Sequence, residues 1–125
     1  VQIIEVGSWI TITMPILPDQ GQSGSATFSP DGQKIAYAVA RTAYDNEYGQ
    51  VAVAPIDGSA VTLVVAAFGP GYFHVVGWID DEILLIERYE FSETASSTTL
   101  WRVNIDGSGL TQIANGYFRG FVRNP

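Results

Sequence analysis

The one imidazole in the chain is His74, and thiols are absent, so the chemistry open to this sequence rests mainly on its thirteen carboxylates. A Ser-His-Asp triad needs a nucleophilic serine held in a recognisable setting, and no Gly-x-Ser-x-Gly elbow is present. His74 stands among Tyr72, Phe73 and Val75 and reads as a structural residue of a strand rather than a general base. One histidine without cysteine cannot supply the usual ligand set of zinc. Asp45-Asn46-Glu47 and Asp80-Asp81-Glu82 are dense in oxygens, yet neither has the spacing, the central glycine or the distal glutamate of a calcium loop. They read as solvated turns. Paired carboxylates for glycoside chemistry need two acids in one cleft, and nothing in the sequence brings two together. Gly69-Pro70-Gly71 is too short for a phosphate loop and precedes a strand, so it is a turn. Trp9, Trp78 and Trp101 fall within strands and read as core anchors. The expectation is therefore no catalytic residue, no metal and no cofactor.

The elements that position these residues follow from composition and spacing. Of the 125 residues, 46% are hydrophobic and only 15% charged, which excludes a disordered chain. No apolar run approaches the roughly 20 residues that span a bilayer, and a soluble globular piece is expected. Five Arg and Lys34 stand against thirteen acids, for a net charge of −7. Such a field repels phosphate backbones, so nucleic acid is not an expected ligand; cationic patches on another protein, or metal ions, suit it better. The missing cysteines leave the compartment open. A chain that starts on Val and is at strand rhythm by Gln2 reads as cut from something longer.

Ile56-Asp57-Gly58-Ser59 recurs as Ile105-Asp106-Gly107-Ser108, 49 positions on, and Phe28 and Trp78 stand 50 apart beside further turn signals. Each unit reads as four short strands. The first has Ser25 to Ser29, Lys34 to Arg41, Gln50 to Ile56 and Val61 to Ala67. The second has Tyr72 to Ile79, Glu82 to Tyr89, Thr99 to Ile105 and Leu110 to Ala114. Asp-Gly and Asp-Asp punctuation suits hairpins, and the strands are rich in Val, Ile, Thr and aromatics with no helical period. The fold class is all-β. Residues 1–14 read as the last two strands of a preceding unit, 25–67 and 72–114 as complete units, and 117–125 as the first strand of a following unit or a tail. In Lys34 to Arg41, Ile35, Tyr37 and Val39 alternate with Ala36, Ala38 and Ala40, as a strand buried on both faces requires.

The run Phe28-Ser29-Pro30-Asp31-Gly32-Gln33-Lys34-Ile35-Ala36-Tyr37 resembles the blade signature of TolB-like (WD-repeat-like) β-propellers, and Ile-Asp-Gly-Ser followed by Leu110-Thr111 is similar to that family's later hairpin. The second unit departs from it, with Ile79-Asp80-Asp81-Glu82 where the first has Ser-Pro-Asp-Gly. The resemblance implies about two and a half propeller blades, each a four-stranded antiparallel meander. Complete propellers usually carry four to eight blades, so the chain is expected to belong to a larger propeller or to complete one by association. The resemblance also implies a periplasmic, secreted or surface-anchored location.

In such a meander the short turns at Asp31-Gly32, Asp57-Gly58-Ser59 and Asp106-Gly107-Ser108 share one end, and the long connections Pro15 to Gly24, Thr42 to Gly49, Phe68 to Gly71 and Glu90 to Ser97 share the other. Binding usually resides in long irregular loops on a rigid scaffold. Two of these loops are acidic and aromatic. One holds Tyr44, Asp45, Glu47 and Tyr48; the other holds Glu90, Phe91 and Glu93, with Tyr89 at its base. They are expected to form a patch for an Arg- or Lys-bearing protein surface, against the alternative that they are merely solvated. The function expected is a non-catalytic protein-interaction or scaffold module. Two alternatives stay open: a gating propeller of a prolyl-oligopeptidase-like serine hydrolase whose catalytic domain lies elsewhere, and a structural subunit of a larger extracytoplasmic complex.

Overall fold

The computed structural model of the chain describes residues 2–4, 11–13, 22–40, 49–66, 71–91 and 94–116. All regular structure among them is β, and no helix long and apolar enough to cross a membrane occurs there. A short antiparallel hairpin, β1 (Gln2–Ile4) with β2 (Thr11–Thr13), precedes two four-stranded antiparallel sheets. The first is β3 (Gln22–Phe28), β4 (Lys34–Ala40), β5 (Gln50–Pro55) and β6 (Thr62–Val65), in chain order. The second is β7 (Tyr72–Asp80), β8 (Ile83–Phe91), β9 (Ser96–Asn104) and β10 (Thr111–Asn115), likewise a plain meander. The expected strand Tyr117 to Val122 lies outside the described residues.

The turns form because their side chains cap their own backbones. Asp31 Oδ1 accepts from the Ser29 hydroxyl at 2.5 Å and from the Gln33 amide at 3.0 Å, while the Ser29 hydroxyl accepts from the Lys34 amide at 3.0 Å. Gly32 takes φ 71°, which a side-chain-bearing residue rarely adopts. Asp57 and Asp106 each accept the amide two residues on, from Ser59 and Ser108, at 2.9 Å. These are Asx turns, in which a short acidic side chain imitates a backbone carbonyl.

The two sheets share one hydrogen-bond plan. Ile56 N–H donates to Gln33 O at 3.0 Å, and Ile105 N–H donates to Glu82 O at 2.9 Å. Gly58 N–H donates to Pro55 O, and Gly107 N–H to Asn104 O. Ala52 faces Leu63 across its ladder as Trp101 faces Gln112 across the other.

The sheets lie face to face. One core joins Ala36, Val51, Val53, Val64 and Val65 of the first sheet to Phe73, Val75, Trp78, Leu84, Ile86 and Val103 of the second. A separate cluster, Ile35, Tyr37, Val39, Ala52 and Ala54, occupies the opposite face of the first sheet. The large and small sides of β4 thus divide as its alternation predicts, and Tyr37 is wholly buried, which pushes its phenol pKa up. Two bonds tie the stack: the Trp78 indole donates to Thr27 O at 3.2 Å, and Asp31 N–H donates to Asp81 Oδ1 at 2.9 Å.

The sheets also point the same way. Trp78, Leu84, Ile86 and Val103 face the first sheet, and their register counterparts Phe28, Ile35, Tyr37 and Ala54 lie on the face of the first sheet turned away from the second. The contact is therefore head to tail, like a heterologous interface, rather than related by a two-fold axis.

Two boundaries differ from expectation. β3 begins at Gln22, so the connection before it is shorter than Pro15 to Gly24. β8 and β9 run on through Phe91 and from Ser96, with Glu90 opposite Ser97 and Phe91 opposite Ser96. Half of Glu90 to Ser97 is therefore ladder: backbone pairing continues past the last apolar pair because the strands already lie side by side there.

Candidate interaction surface

The two meanders send four turns to one end of the stack (β3–β4, β5–β6, β7–β8 and β9–β10) and three connections to the other (β4–β5, β6–β7 and β8–β9). At the short-turn end stand Asp31, Asp57, Asp80, Asp81, Glu82 and Asp106, with Lys34 the cation among them, 3.7 Å from Asp31. Hydrogen bonds from Ser29, Ser59 and Ser108 to Asp31, Asp57 and Asp106, joined by backbone amides, hold these three carboxyls below the usual carboxylate range. A half-open depression of about 410 Å³ lies here between Asp80, Glu82, Ile83, Asn104, Ile105 and Asp106. Among the described residues no three His, Cys, Asp or Glu side chains are grouped to hold a metal ion.

At the other end, strand alternation sorts the expected binding residues. Tyr89 lies on the face of the second sheet turned away from the first, its ring stacked on Tyr72 with centroids 4.9 Å apart. Its hydroxyl donates to Glu87 Oε2 at 2.7 Å, and Glu87 is buried. Glu90 is on the opposite face, where its carboxylate pairs with the Arg88 guanidinium. Arg88 is itself buried against the first sheet, 5.9 Å above the Phe73 ring, and burial lowers its pKa. Tyr89 and Glu90, expected to act together, are thus neighbours in sequence that diverge in space. Phe91 closes β8, and Tyr44, Asp45, Glu47, Tyr48 and Glu93 lie outside the described residues.

His74 lies in strand β7 as expected, at an exposed position opposite Glu87. Alternation places His74 and Val75 on opposite faces, and the bulge between Val75 and Gly77 then shifts the alternation along β7 so that Val75 and Trp78, three residues apart, both face the shared core. Trp78 is buried and Trp101 is packed against the shared core, both as anchors; Trp9 lies outside the described residues.

Sequence reasoning missed the Tyr72–Tyr89–Glu87 group and the Arg88–Glu90 pair. The signal was present in Glu87-Arg88-Tyr89-Glu90: read with period two, it puts Arg88 with Glu90 and Glu87 with Tyr89. Compared with protein-family models and with curated proteins, the chain finds no match.

Proposed function

We propose that the chain is a stack of TolB-like propeller blades serving as a non-catalytic scaffold that holds another protein, outside the cytoplasm. The head-to-tail packing of the two sheets carries this reading. A heterologous contact, which joins opposite faces of equivalent sheets, extends by repetition and closes into a ring when the rotation permits. The rigid stack then serves to display its ends. Both ends are rich in acid, and the partner is accordingly a protein with an Arg- and Lys-bearing surface, recruited by complementary charge.

On the long-loop end Glu90 is already neutralised by Arg88, so the proposal rests there on Asp45, Glu47 and Glu93, which lie outside the described residues. Replacing these three by Lys should lower the amount of partner co-purified with the chain and remove the salt sensitivity of its capture. E90K added to the three should change little further in capture. Partner recovery equal to that of the parent chain, at every salt concentration, contradicts the assignment of that surface.

A further inference from the structure

We propose that Asn115-Gly116, at the end of edge strand β10, is a site of spontaneous deamidation in the folded protein. The chain has four acidic- or amide-glycine pairs among its described residues: Asp31-Gly32, Asp57-Gly58, Asp106-Gly107 and Asn115-Gly116. In each, the glycine nitrogen is the nucleophile that can attack the preceding side-chain carbonyl, because glycine puts no side chain in the way.

The fold treats the four pairs differently on the electrophile. Asp31, Asp57 and Asp106 are carboxylates clamped by the amide two residues on and by a serine hydroxyl as well. An ionised carboxylate resists nucleophilic addition, and its hydrogen bond to that later amide restrains its rotation. Asn115 is a neutral amide with ammonia as leaving group. Its Oδ1 accepts one hydrogen bond, at 2.9 Å, from Gln112, itself an exposed side chain of the same edge strand. Gly116 has φ 107°, and nothing lies within 4 Å of where its Cβ would stand, so no neighbouring group crowds the glycine on that side. One restraint remains, the Gly116 N–H donated to Thr98 O at 2.8 Å. It belongs to the last rung of an edge strand whose residues are all exposed, where ladders fray.

The reaction needs only water. Gly116 nitrogen gives up its proton and bonds to Asn115 Cγ; the Cγ–amide bond breaks and ammonia leaves, closing a succinimide. Water then opens either carbonyl, to aspartate or to the β-linked isoaspartate. The product carries one more negative charge, and isoaspartate adds a methylene to the backbone of the sheet's outer edge. A charged, irregular edge strand resists pairing with another chain.

Peptide mapping after incubation of the folded protein at mildly alkaline pH tests this. Conversion should appear at residue 115 before isoaspartate forms at 31, 57 or 106, and Gln112→Ala should accelerate it several-fold. In urea, all four pairs should react. No change at residue 115 over a period that converts it in urea, or isomerisation at one of the three Asp-Gly pairs first, overturns the proposal.

Discussion

At the residue scale, the short turns depend on carboxylates being ionised. Asp31, Asp57 and Asp106 have folded-state pKa values below the ordinary 3.8 because serine hydroxyls and backbone amides bind the charged form. A depressed folded pKa contributes stability that is present above the unfolded value and is lost as pH falls through the folded one. Stability should therefore be flat near neutrality and fall below about pH 4. Urea midpoints between pH 6 and pH 2.5 measure this, and the combined Asp31→Asn, Asp57→Asn, Asp106→Asn variant should show a shallower fall. Gly71 makes a second point at this scale. It has φ 118°, and a Cβ there would stand 2.3 Å from the Tyr89 carbonyl oxygen. Gly71→Ala should destabilise by about 3 kcal/mol, combining left-handed strain with a displaced β8 backbone. A loss within 0.5 kcal/mol would mean that this approach is looser than described.

At the element scale, the sequence made the strand plan legible because apolar runs are punctuated by Asp-Gly and Asp-Asp turns, and each of the eight sheet strands forms close to its expected place. What was hidden had physical causes. Polar residues at Glu90 and Ser96-Ser97 looked like loop, but ladder pairing does not require apolar side chains once two strands are already aligned. The bulges between Val75 and Gly77 and between Trp78 and Asp80 reset alternation along β7, so no period-two count along that strand assigns faces correctly. The binding patch was legible only as composition. Composition does not say that Arg88 answers Glu90 or that Tyr89 turns to the other side. Core and surface positions of the second sheet should respond unequally to truncation. Ile86, fully buried in the shared core, should cost about 3 kcal/mol on substitution by Ala. Ile113, 47% exposed on the edge strand, should cost well under that, about 0.5 kcal/mol. Chemical denaturation of both variants compares them directly.

At the scale of the whole molecule, what matters is that two four-stranded sheets with the same hydrogen-bond plan stack in the same direction, with Trp78 of the second reaching Thr27 of the first. From that arrangement come the burial of the facing side of the first sheet, the shared acidic turn end, and the proposal that the chain is a scaffold of propeller blades. The Trp78 indole reports on it most directly. In a two-dimensional NMR spectrum its N–H should show a nuclear Overhauser contact to Thr27 and Phe28, and it should exchange with solvent far more slowly than an exposed indole. An indole N–H with no contact to β3 that exchanges at the rate of free tryptophan would contradict the head-to-tail stack.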